Sequence, residues 1–288
     1  MQTYKIITDS ACDLSKAMLQ ELDVTITPLH VLCNGENMPD TVEEARIKTF
    51  YAGMRAGDIP KTAAVNPEAW TVVIEAALAD GFDALVLGFS GGLSTTYQSA
   101  VIAAQELQEK YPARKIIVID TASAALGQGL LVWYTCKKRD EGLSLEELAE
   151  WVEHNKLHLA HWFTVDELVY LTRGGRVSAA TALVGTMLNI KPVLHVDDEG
   201  HLISMAKVRG RKAAIDTLIK KMQELGSGCE NDTVFISHAD CLSEAEQLKK
   251  LVLEKTPAKE VMIGNLGAGI GSHAGPGTLA LFFMGTGR

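Results

Sequence analysis

A chain of 288 residues can hold one large domain or two ordinary ones. With 47% apolar and 22% charged residues it has the composition of a soluble globular protein, and no run approaches the roughly 18 apolar residues a membrane span needs. A net charge of −9 argues against nucleic acid or an anionic membrane surface as the main partner, while leaving room for one local basic pocket.

Residues 4–8 read as a strand, so the chain opens on structure rather than on a secretory leader. The polar run Asp9-Ser10-Ala11-Cys12-Asp13-Leu14-Ser15 follows as a loop and cap, leading into a short helix over 15–21. A second extended run covers 24–33 and ends in the turn residues Asn34-Gly35-Glu36-Asn37. The spacing Thr41-Val42-Glu43-Glu44 resembles a capping box and predicts a helix over 41–54. Residues 58–62 read as a loop. Asn66-Pro67 then opens a helix over 68–79, with proline well placed in the first turn. Strand 84–87, helix 95–109, strand 115–119 and helix 122–138 continue an alternation that predicts a parallel sheet covered on both faces. A helix over 145–154 closes this unit.

From about residue 157 the texture changes. Residues 157–165 are extended, 167–171 form a short helical piece, and Arg173-Gly174-Gly175-Arg176 is a tight basic turn. A helix over 179–187 precedes a hairpin of 191–196 and 201–206, joined at Asp197-Asp198-Glu199-Gly200. Helices over 212–225 and 243–255 and strands over 233–238, 260–265 and 279–284 complete the chain. The predicted class is α/β: a parallel-sheet α/β domain over 1–156 and a smaller mixed α+β domain over 157–288.

The five cysteines, Cys12, Cys33, Cys136, Cys229 and Cys241, are scattered with no C-x-x-C pair. That fits a reducing cytoplasm and packing roles rather than a disulfide frame or a zinc site. No histidine–carboxylate cluster has metal-ligand spacing, and no cofactor is expected.

Chemistry is concentrated in the loops. Phe89-Ser90-Gly91-Gly92-Leu93-Ser94-Thr95-Thr96 lies between an apolar strand and a helix, where open α/β sheets bind ligands. A helix N-terminus suits an anion, and the small hydroxyls can donate to that anion or simply cap the helix. The run Gly267-Ala268-Gly269-Ile270-Gly271-Ser272 invites a dinucleotide reading. It fails because Ser272 takes the third glycine position, only an apolar strand and no β-α-β unit follows, and the acidic residue expected some twenty positions on is absent. A hydrolase could use Ser94, His273 and either Asp9 or Asp120, although the G-x-S-x-G elbow is absent. This Ser/His-dependent acyl-ester hydrolase or transferase stays as the alternative. His273 among glycines also reads as a plain loop residue, and the two arginines around Gly174-Gly175 as a solvated turn.

Several motifs taken in order resemble the DegV family, bacterial fatty-acid-binding proteins that act as the acyl-carrying subunit of fatty acid kinase. They are Thr8-Asp9-Ser10 with Asp13-Leu14, Ser90 through Ala100, Leu171-Thr172-Arg173-Gly174-Gly175-Arg176-Val177-Ser178, Leu188-Asn189-Ile190-Lys191-Pro192, Lys207-Val208-Arg209-Gly210, and Ser272-His273-Ala274-Gly275-Pro276-Gly277. The resemblance spans the whole chain. It implies a two-domain protein with one acyl chain at the domain junction, its carboxylate met by Thr62, Ser94 and His273. Arg176, rather than Arg173, is the arginine implied close by, and Thr95 belongs to the same turn. Arg209 matches a basic position that would face the kinase. Two departures stand out. The loop at Thr62-Ala63-Ala64-Val65 lacks the hydroxyl that usually follows the threonine, and Gly91 and Thr95 replace a usual serine and glycine. Candidates for the apolar lining are Leu29, Leu32, Phe163, Leu183, Met187, Ile190 and Phe282, each of which also reads as plain core.

Overall fold

The computed structural model describes residues 3–178, 189–229 and 231–288. The first of its sheets is fully parallel, with strand order β2-β1-β6-β7. It comprises β1 (Tyr4–Asp9), β2 (Val24–Thr27), β6 (Asp83–Gly88) and β7 (Ile116–Asp120). Buried on both faces, β6 is a continuous apolar run, as a parallel strand requires. Crossovers to β2 and β7 leave in opposite directions from β1 and β6, so the loops after β1 and β6 diverge and open a crevice.

Helix α5 (Ala125–Asp140) lies against the other main sheet. Its sequence is apolar on nearly every side up to the basic last turn, which marks a helix buried all round. One core joins its Leu126, Leu130 and Leu131 to Ile6 and Leu85 of the parallel sheet and to Phe163, Phe235 and Phe282 of the second sheet. That second sheet is mixed, in the order β10-β9-β8-β13-β11-β12. It is built from β8 (Leu159–Thr164), β9 (Ile190–Val196), β10 (Leu202–Arg209), β11 (Thr233–His238), β12 (Glu260–Asn265) and β13 (Leu279–Met284). Its outer face is covered by α8 (Arg211–Leu225) and α9 (Leu242–Lys255), whose Ile215, Leu218 and Leu248 meet Val234 and Leu281. The outer face of the parallel sheet is covered by α3 (Pro67–Ala79) and α4 (Thr96–Lys110), through Trp70, Ile74, Ala100 and Ala103. Helix α6 (Leu145–Asn155) starts with the capping box Ser144–Glu147.

Several expectations need correction. The extended run 24–33 is two strands in different sheets: β2 stops at Thr27 before Pro28, which has no N–H to continue a ladder, and β3 (His30–Cys33) starts a third sheet. There β3 pairs with β4 (Glu36–Pro39) through a turn at Asn34 and Gly35, both with positive φ. The loop at 58–62 contains a short strand, β5 (Lys61–Ala63), that pairs Thr62 with Val31. The capping box at Thr41 does not form. Thr41 accepts from Glu43 N, and α2 (Glu44–Ala56) begins after Glu43 without a side-chain cap. Within 267–277, read as a loop, lies the short helix α10 (Ala268–Ala274). The helix expected over 179–187 lies outside the described residues, as do the lining candidates Leu183 and Met187. The short helix α1 (Lys16–Glu21) and α7 (Val169–Arg173) fall close to their expected places. Among the described residues no helix is long and apolar enough to cross a membrane.

Trp70 fixes the start of α4, because its fully buried indole donates to Thr96 O at 3.0 Å. We expect Trp70→Ala to lower unfolding free energy in urea by about 3–5 kcal/mol. Trp70→Phe keeps an aromatic ring but removes the indole donor to Thr96 O, and should cost about 1–3 kcal/mol. A Trp70→Phe variant as stable as wild type would show that the hydrogen bond contributes nothing.

Candidate functional site

A cavity of about 480 Å³ opens where the diverging loops meet the second sheet. Four of the predicted polar residues, Thr62, Ser94, Arg176 and His273, stand on its wall, together with Thr95. Each arrives on a different element. Thr62 comes from β5, Ser94 and Thr95 from the turn before α4, Arg176 from the turn after α7, and His273 from α10.

Thr62 Oγ1 and His273 Nε2 are 2.7 Å apart. The other edge of the imidazole lies against Gly174, where a Cβ would overlap Nδ1. Burial, and then the positive charge of Arg176, push the His273 pKa down to about 4. The ring is therefore neutral near pH 7. Arg176 is half-buried. Its Nε donates to Leu93 O at 3.2 Å and Nη1 donates to Gly174 O. It forms no ion pair among the described residues, and burial lowers its pKa. Arg173 is exposed, with its guanidinium over the Tyr170 ring, so the structure brings Arg176 and not Arg173 to the cavity.

Ser94 has a less direct place than the sequence implies. Its Oγ accepts from Thr96 N at 3.2 Å and lies 2.9 Å from Thr96 Oγ1. Thr96 Oγ1 in turn accepts from Val65 N at 3.3 Å. Either hydroxyl can donate in the Ser94–Thr96 contact, and when Thr96 donates the Ser94 hydrogen is left for the cavity. Thr96 is thus a supporting residue that the motif reading missed. Its fully buried position behind Ser94 is the feature that identifies it.

The backbone of the glycine-rich turn is mostly engaged within the protein. Gly91 N lies 3.2 Å from both oxygens of Asp120, Gly92 N donates to Ser90 Oγ at 3.2 Å, and Leu93 N and Ser94 N donate to Ser90 O. The expected row of free N–H groups for an anion is therefore replaced by side-chain donors. Gly91 is itself explained, since a Cβ would crowd the Asp120 carboxylate. Thr95 is exposed at the rim and makes no side-chain cap.

Behind the polar cluster the wall is apolar. Leu29, Phe163 and Phe282 line it as expected, whereas Leu32 is 42% exposed and, with Ile190, lies off the cavity. Phe89, Leu266 and Ile270 are lining residues that periodicity did not distinguish from core. A Ser–His–Asp relay is not assembled. His273 meets Thr62, and Ser94 meets Thr96. Asp9 accepts from Phe89 N at 2.8 Å and Ala11 N at 3.0 Å, while Asp120 serves Gly91 and Ala122. Among the described residues no cluster of histidine, cysteine and carboxylates is placed to hold a metal. Arg209 is exposed on β10, at the edge of the second sheet.

An α/β protein with an apolar cavity closed by polar loops at one end is the class these features define. The model of an uncharacterised family, the DegV family, matches residues 3–286. The chain belongs to the DegV family. A DegV domain-containing protein of Clostridium perfringens is 43% identical over 288 residues, covering 99% of this chain and 98% of the relative. The structure of a fatty-acid-binding DegV family protein from Thermus thermophilus is similar at TM-score 0.88 and 33% identity, covering 99% of this chain and 100% of that one. A Thermotoga maritima protein whose structure reveals fatty acid binding function is similar at TM-score 0.85 and 29% identity, covering 99% of this chain and 100% of that one.

The His273 ring should remain neutral in NMR titration down to about pH 5 and titrate near 4. A pKa depressed in the fold means that the unfolded chain, with histidine near 6.5, binds the proton first. The stability from the neutral ring is complete above about pH 6.5 and is lost as pH falls toward 4, by up to about 3 kcal/mol. Asp9, raised to about 7 by burial, acts with the opposite slope. The difference in urea stability between wild type and His273→Asn should isolate the histidine. A difference that does not shrink on acidification contradicts the assignment.

Proposed function

We propose that the protein binds a long-chain fatty acid, with its carboxylate at Thr62, Ser94, Arg176 and His273 and its chain in the apolar cavity. The observation that carries this reading is the half-buried Arg176, without an ion pair among the described residues, beside a neutral His273 at one end of that cavity. The polar end then has one formal positive charge, and a single carboxylate balances it. A divalent phosphate would overshoot it, and a neutral lipid would leave it unpaired.

The energetics fit that ligand. Burying about 15 methylenes at roughly 0.8 kcal/mol each gives about 12 kcal/mol gross, before association entropy is subtracted. A buried carboxylate costs several kcal/mol unless it is hydrogen-bonded. Donors at the site offset this at roughly 1.5–3 kcal/mol for each bond to the charge. When His273 Nε2–H donates to Thr62, the threonine hydroxyl is free to donate to the ligand, as the Ser94 hydroxyl is when Thr96 donates to it. With Ala63 where a hydroxyl usually follows the threonine, and Ala64 on the cavity wall, this polar end is sparser than the family pattern. The fatty acid binding named for the Thermus thermophilus and Thermotoga maritima relatives supports the same reading.

The finer part of the proposal is that the bound acid is presented to a separate ATP-binding kinase for acyl-phosphate formation, with Arg209 in the docking surface. Support comes from the exposed position of Arg209, which has no ion pair among the described residues, and from the family resemblance.

Denaturing extraction and mass spectrometry of purified protein should release a fatty acid, and added oleate should bind. Thr62→Val, Ser94→Ala and His273→Ala should each weaken oleate binding by about 10- to 100-fold, and Arg176→Ala by at least as much. Arg209→Glu should leave oleate affinity unchanged and reduce phosphate transfer in a reconstituted kinase assay. Unchanged affinity in all four cavity variants would place the headgroup elsewhere.

A further inference from the structure

The cavity has a direction that the second sheet makes measurable. Thr278, Ala280 and Phe282 all line it, at alternate positions along one face entering and following β13. Thr278 belongs to the polar end, since its hydroxyl donates to the carbonyls of Ala274 and Gly275 just after His273. At about 3.3 Å per residue, Phe282 lies roughly 13 Å further along the strand. The neighbouring strand β8 runs antiparallel, pairing Phe163 with Ala280 and His161 with Phe282, and both β8 residues line the cavity. The next same-face pair, Leu159 with Met284, does not. The floor therefore ends at the row formed by His161 and Phe282.

That row is tightly built. The two rings meet edge to face, with centroids 5.3 Å apart. His161 is 1% exposed, and its Nδ1 is 2.9 Å from Leu159 O, which fixes that nitrogen as the donor and leaves Nε2 unprotonated. Nε2 has no hydrogen-bond partner and lies against Gly127 of α5, where a Cβ would overlap it and crowd the Phe282 ring. An unpartnered ring nitrogen in an apolar wall is a costly way to fill space, and glycine is the residue at 127 that makes room for it.

We infer that His161, held between Phe282 and Gly127, is the stop that limits how long an acyl chain this cavity accepts. The inference rests on the fatty-acid reading of the cavity and adds its length selectivity. It assigns His161 a role in shape and not in hydrogen bonding, because the free nitrogen faces helix α5 rather than the ligand. Removing the imidazole extends the slot past the last row of the floor. A side chain at Gly127 pushes both rings toward the ligand and shortens it.

The test is the affinity of saturated fatty acids from dodecanoate to docosanoate, measured calorimetrically for delipidated wild type and variants whose melting is checked by circular dichroism. Wild type should gain affinity with length and then lose it at a cutoff. His161→Ala, with His161→Val as a milder truncation, should move the cutoff to longer chains. Chains just above the wild-type cutoff should gain roughly fourfold for each added methylene that becomes buried. His161→Phe should keep the wild-type cutoff, and Gly127→Ala should move it to shorter chains. A cutoff unmoved in folded His161→Ala and His161→Val overturns the stop while leaving fatty acid binding intact. A cutoff moved equally by His161→Phe overturns the shape argument. Binding of no chain by wild type overturns the fatty-acid reading and the stop with it.

Discussion

The contact between Thr62 and His273 joins residues 211 positions apart, and the polar end of the cavity depends on it. Neither partner reaches its place alone. Thr62 is carried by the small third sheet, a three-residue strand that is registered only by pairing with β3. His273 is carried by a helix of seven residues, too short to persist without tertiary support. The structure supplies that support from the same region that holds Thr62. Asp40, just after β4, accepts from Gly269 N at 2.7 Å and from the Ser10 hydroxyl at 2.8 Å. Tyr51 of α2 donates to Leu266 O at 2.9 Å, and Asn265 donates to Val42 O. The segment between the first two strands of the parallel sheet and the sixth is thus a clasp on the end of the chain.

Charge sorts itself around that clasp. Asp9 and Asp13 are buried and Asp40 is half-buried near the crevice, and desolvation raises the pKa of each. Arg176 lies across the cavity without an ion pair among the described residues, and His273 is kept neutral by burial and by that arginine. For the proposed carboxylate ligand, a neutral His273 matters because a second cation would leave one charge unbalanced. The apolar remainder of the wall is drawn from the second sheet, from loops that follow the parallel strands and from the start of α5, so the slot is a seam between packed core clusters rather than a groove on the surface.

The sequence was informative where local rules decide. The apolar strand 84–87, the proline at the start of α3, the helix over 145–154 and the Asn34-Gly35 turn all follow from propensities and turn chemistry. It was misleading where tertiary pairing decides. Nothing local distinguishes β5 from a loop, because Lys61–Ala63 becomes a strand only against β3. The helix around His273 was hidden by its glycines, which serve close approach: a Cβ at Gly271 would meet the Tyr51 hydroxyl. At the site, the ordered motifs pointed to Thr62, Ser94, Arg176 and His273, and the fold brings all four to one cavity wall. Phe282 was legible as a lining candidate, but the roles of Thr96 and His161 were not, because they come from what packs behind or beside them. Periodicity marked them only as buried.

The most direct test of the central claim is a crystal structure of the protein grown with oleate. The account predicts a carboxylate within hydrogen-bonding distance of the Thr62 and Ser94 hydroxyls and beside Arg176 and His273, with the chain running along β13 toward Phe282. A carboxylate at the opposite end of the cavity, or a ligand outside it, would contradict the account.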